Sequence, residues 1–417
     1  MNAITTAAVS NGFARYAPWL MAFLALFMLF VTNGFTTTSL TAYDESLLKE
    51  FGWTRGQLKF RDLITLMIAG LSAPFAGILI DKIGTRKLML TGALLLAAAY
   101  FSYGFITSLT HLYIIHAVFG VVLVCAGLNV AVIHVSQWFH TQRGTGIGIA
   151  LVGSSLGGAL LTPILVKVVA SLGWRATFMW MSALAIVLFF VCLFGSRSPA
   201  HWGVSPLKAA PNATGAALKN AGATPHDLTL AQAMSTVSFW ALAVIAMATF
   251  YSLLALAAHL FLHLRGLGLT PQKAGAGISA LFTMGLISKF LFGYLADKFN
   301  LRMVFLANIL IMLIGLVLFA TQSLDLVWPA IIITGFGWGG LYTLLQLQAV
   351  NNFGLTHSGK ILGSITLMDA CAGGLGMWLT GVLFDSYKSY EVAFYVLVAL
   401  VTLAFLAAFF VKQEVRD

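Results

Sequence analysis

GILIDKIGTRK, residues 77–87, returns farther along the chain as GYLADKFNLR, residues 293–302. Gly77, Asp81 and Arg86 each stand 216 positions before Gly293, Asp297 and Arg302. Both copies close an apolar run with a Gly-x-x-x-Asp step and then turn on basic residues. Two more matches hold the register: Gly146 and Gly157 precede Gly363 and Gly374 by 217, and Trp174 and Phe178 precede Tyr390 and Phe394 by 216. Three matches in register identify a duplication. A duplicated apolar unit is an arrangement typical of secondary transporters.

Of 417 residues, 60% are hydrophobic and 9% charged, whereas soluble domains carry roughly 25% charge. This is a membrane composition. A spanning helix needs about 20 mostly apolar residues. Breaks at charged, Gly and Pro clusters give twelve segments: 17–43, 58–80, 86–107, 110–136, 143–171 and 175–195, then 237–264, 271–296, 303–321, 325–351, 358–386 and 389–411. The first run is too long for a signal-peptide core and lacks a small-residue cleavage site, so it reads as a retained span. The fold expected is an all-α integral membrane protein with twelve transmembrane helices in two pseudo-symmetric six-helix bundles. Its parts are 1–195, a linker over 196–236, and 237–417. The end of the linker, 229–238, reads as a short amphipathic surface helix.

The net charge of +10 comes from basic residues scattered singly over short loops, which excludes a nucleic-acid footprint. Counted by loop, thirteen Lys and Arg fall on the side of the termini and seven on the other. That bias puts both termini in the cytoplasm, in the plasma membrane, or the inner membrane of a bacterium. Cys125, Cys192 and Cys371 sit in apolar runs without ligand-like spacing and read as packing residues. With no nucleotide motif, no His-Glu-x-x-His, no nucleophile elbow and no clustered carboxylates, the sequence reads as no enzyme, with no cofactor and no metal.

The first copy of the loop, with Gly77, Leu79, Asp81, Lys82, Gly84, Arg86 and Lys87, resembles the hallmark of the major facilitator superfamily, and the likeness covers nearly the whole chain. It implies rocker-switch alternating access, with substrate held near mid-membrane between two six-helix halves. FGWTRGQL (51–58), WFHTQRGTGIGIALVGSSLGG (138–158) and GWRATF (173–178) look like the branch of monocarboxylate transporters and oxalate/formate exchangers. The Gly-Pro pair of drug exporters is missing from the fifth segment, where Pro163 follows Leu-Thr instead. In that branch an arginine four residues before the second-copy glycine binds the substrate carboxylate. Lys289 occupies this position, which keeps the charge and loses the planar fork. The branch's aspartate one turn earlier is Gly285 here, and its first-helix lysine falls near Thr41. The resemblance therefore implies an anionic substrate without implying lactate.

Lys289 is a charge inside an apolar run, which marks a site facing a cavity or a partner. It lies about 12 Å above the end of its helix at ~1.5 Å per residue, and Asp369 about 16 Å above the same side. Similar depth predicts that the two meet. They form either a fixed structural bridge or a site where a carboxylate competes for the lysine while Asp369 takes a proton. His116 and His259 are further candidates for proton coupling, and His134 and His263 read as structural. Asn33, Asn129, Tyr251, Tyr342 and Gln346 are polar groups on expected cavity helices, able to bind substrate beside Lys289 or to bridge helices. Phe35, Phe250, Tyr251, Phe282 and Trp338 form a candidate apolar wall.

Asp81 with Arg86, and Asp297 with Arg302, read as gating latches at helix ends. Arg61 and Asp62 are gating candidates near the other side, with Asp44 and Glu45 as partners for the bases. The plainer reading is that Arg61 or Lys59 snorkels to the interface, as Lys167 does. The glycines of GSSLGG (153–158) and GFGWGG (335–340) read as close-packing positions. Together these features describe a proton-coupled carrier of a small organic anion, a carboxylate, working as a monomer in the bilayer. The alternative is a carrier of the same fold for a drug-like, siderophore-like or zwitterionic compound, by proton antiport. A receptor that transports nothing is a third reading.

Overall fold

The computed structural model describes residues 12–139, 142–196, 228–354 and 357–412. Most of the expected linker over 196–236 lies outside these residues. Among the described residues the chain is helix and short turns, without strands. The first six spans are α1 (Gly12–Asn33) running through a π turn (Gly34–Thr38) into α2 (Thr41–Phe51), then α3 (Arg55–Ile83), α4 (Thr85–Tyr103), α5 (Leu109–Ala126) with α6 (Leu128–Ser136), α7 (Arg143–Leu156) with a second π turn (Gly157–Leu161) and α8 (Thr162–Leu172), and α9 (Trp174–Gly195). A short α10 (Leu230–Met234) precedes α11 (Val237–Gly266), α12 (Pro271–Lys298), α13 (Leu301–Ala320), α14 (Val327–Phe353), α15 (Ser358–Tyr387) and α16 (Glu391–Ala407). Ten of these segments are long and apolar enough to cross a membrane. The other two long ones, α3 and α4, hold the charges of the 77–87 loop at their facing ends and complete the expected order.

Local chemistry sets the helix ends. Thr54 and Gln57 make a capping box at the start of α3, and Thr270 caps α12 with Pro271 in its first turn. The turn between α3 and α4 passes through Gly84 at φ +84°, a conformation open to glycine. At the matching place in the second half, Asn300 instead accepts from the backbone N–H of Arg302 and Met303. The expected helix over 229–238 is α10, which Ser235 ends before Thr236 caps α11.

The first span runs to Phe51, eight residues past the expected boundary of 43. Its π turn absorbs an extra residue, and Thr36 and Thr37 return their hydroxyls to the carbonyls of Thr32 and Asn33. The second π turn packs against the first: a Cβ on Gly157 would lie 2.7 Å from Gly34 Cα.

The duplication is visible at side-chain level. Arg86 donates to Leu193 O at 2.7 Å, and Arg302 donates to Phe409 O at 2.8 Å. Donors and acceptors are both 216 positions apart. Each guanidinium sits where a helix ends, against its free carbonyls.

The helices of each half pack chiefly on one another, and the halves meet along α3 with α15 and along α7 and α8 with α12. At the end away from the termini these contacts are close: Gly381 faces Arg55, Gly374 faces Leu63, and Gly158 faces Phe282. Toward the termini, glycines of these helices face open space. A Cβ on Gly148, Gly293 or Gly363 would meet nothing within 4 Å. The structure is a cleft closed at the far end and open at the end of the termini.

The tightest crossing is in the second half, where a Cβ on Gly339 would lie 2.0 Å from Gly285 O. Overpacking of this kind costs about 1–3 kcal/mol. Gly339→Ala is expected to lower the melting temperature of the purified protein by several degrees, while Gly148→Ala, facing open space, leaves it unchanged. Differential scanning fluorimetry in detergent checks both.

Candidate functional site

Lys289 stands on α12 where the halves meet. Its Nζ donates to Ser155 Oγ on α7, in the other half, at 2.7 Å. It also lies 5.5 Å from the ring centroid of Trp338 on α14, within cation–π range. Trp338 reaches this place because Gly285 has no side chain: a Cβ there would sit 2.4 Å from Trp338 Cζ3. Phe282 meets the same indole edge-on at 5.7 Å. Among the described residues no carboxylate lies within ion-pair distance of Lys289.

The expected pair with Asp369 is not formed in this structure. Asp369 is buried on α15, beside the backbone N–H of Ala370 and near the Tyr342 hydroxyl. Tyr342 also lies beside Gln346 and Thr366, so α14 and α15 build one polar cluster around that carboxyl. Tyr251 sits beside Thr380 on α15. In the first half, the Asn33 Nδ2 is buried without a hydrogen-bond partner, immediately before the π turn. Asn129 is exposed on α6. Phe35 leaves the expected wall: it is fully buried and stacked on Tyr100.

Arg61 and Lys59 do not snorkel. They are 0% and 1% exposed, because Asp44 on α2 takes both: Lys59 Nζ at 2.6 Å and Arg61 Nη2 at 2.5 Å. Asp62 lies 3.6 Å from Lys59 and 3.5 Å from Arg61. Tyr103 accepts from Arg61, and His116 joins through Thr65 Oγ1 at 2.9 Å and the Tyr103 hydroxyl at 3.3 Å. Two cations and two carboxylates balance one another inside the first half. Among the described residues, the bonds of Arg61 and Asp62 stay within that half.

Apart from Glu45, the residues that bond the halves together at the far end are not expected as site residues. Asp385 at the end of α15 accepts the backbone N–H of Arg55 and of Gly56, at 2.9 and 2.6 Å. A carboxylate thus caps the positive end of α3 from the other half. The Arg55 guanidinium lies 3.5 Å over the Phe384 ring and donates to the Tyr390 hydroxyl. Tyr390 is 3.0 Å from His259 Nδ1, and His259 Nε2 is 2.8 Å from Met377 O, which places His259 behind this clamp. Glu45 adds a two-pronged pair with Arg265 at 2.7 and 2.8 Å. At the open end Asp81 and Asp297 are exposed, and Arg86 and Arg302 are held by Leu193 and Phe409 in place of the expected aspartates. Among the described residues no three His, Cys, Asp or Glu side chains group as metal ligands.

A duplicated helical bundle with a mid-depth cation in a one-sided cleft has the form of a membrane carrier. The chain belongs to the major facilitator superfamily, whose family model matches residues 19–372 and 239–417. It is an integral membrane transporter, of a family of transporters and not of enzymes. It is 26% identical over 399 residues to the oxalate:formate antiporter of Oxalobacter formigenes, covering 89% of each chain. It is 24% identical over 339 residues to monocarboxylate transporter 13 of Bos taurus, covering 80% of this chain and 75% of that one. Monocarboxylate transporter 1 of Homo sapiens is 26% identical over 196 residues, 46% of this chain and 38% of that one. The same fold appears in the crystal structure of a bacterial homolog to the human lysosomal transporter Spinster, inward-facing and unoccupied. It gives a TM-score of 0.71 at 17% identity, covering 98% of this chain and 99% of that one.

Removing one partner of a buried charge group costs about 3–5 kcal/mol. Asp44→Asn is therefore expected to abolish the folded protein or lower its melting temperature steeply, read by size-exclusion chromatography and fluorimetry. Asp385→Ala should act differently, loosening the far end while the protein stays folded. Spin labels at the exposed positions Lys49 and Lys388 should show a longer-distance population in double electron–electron resonance that the parent lacks.

Proposed function

We propose that this transporter carries a small organic anion whose carboxylate is bound by Lys289. The observation that supports the reading best is that Lys289 is held in the cleft by a neutral hydroxyl and an aromatic face, with its charge uncompensated. A bare cation in hydrocarbon is costly, and an anionic substrate supplies the missing charge. The free Asn33 amide offers a further donor to an acceptor-rich ligand. Trp338 and Phe282 offer an apolar wall for its carbon skeleton. The antiporter and monocarboxylate transporters named above are consistent with such a substrate class.

Asp369 is the proposed proton carrier. Among the described residues it has no counter-charge in ion-pair range, and it lies in a polar cluster with Tyr342, Gln346 and Thr366. Exchange of its proton with the open side, alternating with substrate at Lys289, would couple the two flows. With both termini in the cytoplasm, the open end faces inward, and the Arg55–Asp385 clamp is the closed outer gate. Asp81, Arg86, Asp297 and Arg302 would then re-form contacts between halves when the inner end shuts. The site is complete in one chain, which suits a monomer.

The test is uptake of labelled carboxylates into proteoliposomes. Lys289→Gln removes a charge-assisted hydrogen bond worth about 1.5–3 kcal/mol, so uptake at low substrate should fall by about 10- to 100-fold. Asp369→Asn should keep substrate binding and lose acceleration by an imposed pH gradient. Normal coupling in Asp369→Asn would remove that residue from the proton path.

A further inference from the structure

We infer that Ser155 is the positioning residue of the anion site: it holds the Lys289 ammonium in the cleft without neutralising it. The inference rests on the proposed role of Lys289 and adds a residue to it. Lysine carries three N–H bonds. One goes to Ser155 Oγ, which leaves two for a ligand. Without an acceptor at mid-depth, the flexible stem is free to carry the charge toward the open, wet end of the cleft. With a carboxylate there, the charge would be cancelled before any substrate arrived. A hydroxyl avoids both outcomes.

The frame around Ser155 fixes its position. A Cβ on Gly153 would lie 2.1 Å from Leu26 O, one on Gly157 would lie 2.7 Å from Gly34 Cα, and one on Gly158 would lie 2.4 Å from the Phe282 ring. The glycines of GSSLGG thus press this helix against α1 on one side and α12 on the other. The two serines between them differ in use. Ser154 returns its hydroxyl to Leu151 O on its own helix, while Ser155, 2% exposed, meets Lys289 from the opposite half. The glycine frame therefore sets where the cation stands.

The experiment uses the full-length carrier in proteoliposomes, with labelled formate, oxalate, lactate and benzoate as probes. Ser155→Ala should raise KM for the transported probe by about fivefold to tenfold, within the range of a typical lost hydrogen bond, and leave the maximal rate within about twofold. Ser155→Asp, which pairs Lys289 permanently, should fold and lose saturable transport. A double-mutant cycle on the melting temperature should show that Ser155→Ala lowers it in the parent and no longer does so in Lys289→Ala.

Equal shifts in both backgrounds, or an unchanged KM in Ser155→Ala, would overturn the inference. So would normal transport by Ser155→Asp. If Lys289→Ala itself transports normally, or the parent carries none of the probes, the anion reading falls and takes Ser155 with it. Loss of transport in Lys289→Ala with no effect of Ser155→Ala leaves that reading standing and removes only Ser155.

Discussion

A charge inside hydrocarbon must find an opposite charge, a polar cage or water, and the cleft is arranged around how this chain meets that requirement. In the first half it is met by neutralisation. Asp44, Asp62, Lys59 and Arg61 cancel within a few ångströms of one another, with Tyr103 and His116 closing the shell. In the cleft it is met only in part. Lys289 has a hydroxyl and an indole, and Asp369 has a backbone N–H and a phenol nearby. The contrast separates a charge group neutralised within the first half from two charges without an ion-pair partner among the described residues.

The remaining architecture serves that difference. Alternating access needs an end that closes firmly and reversibly. The far-end clamp joins a carboxylate to a helix N-terminus and a guanidinium to aromatic rings, contacts that form between preformed surfaces without burying an ion pair deeply. The π turns that begin at Gly34 and Gly157 interrupt the first and fifth spans where these pack on each other beside the cleft. Gly285 and Gly339 act in the second half. Their close approach fixes α14 against α12 and sets Trp338 over Lys289.

Much of this was legible in the sequence. The apolar runs and their charged breaks place the spans, and a two-copy register places the halves, since hydropathy and repetition are local properties. Lys289 stood out because lysine is rare in such a run. Its partner did not. Rise per residue gives the depth of Asp369 but not the face of α15 it occupies, and that face depends on how two halves tilt. Ser155 was hidden inside a glycine pattern read as packing. Arg55 and Asp385, 330 positions apart, are not singled out by the sequence, because a cap shared between halves leaves no local trace. Asp44 misled the boundary of the first span, since hydropathy assigns an aspartate to water unless its partners are known.

One claim carries the rest: among the described residues Lys289 has no carboxylate within ion-pair distance, and the ligand brings one. The most direct measurement is calorimetric titration of the purified transporter with a carboxylate and with its neutral primary amide, which share shape and differ in charge. Saturable binding of the carboxylate, weakened by salt, is expected, and no binding of the amide in the same concentration range. Equal affinity for the two would contradict that claim.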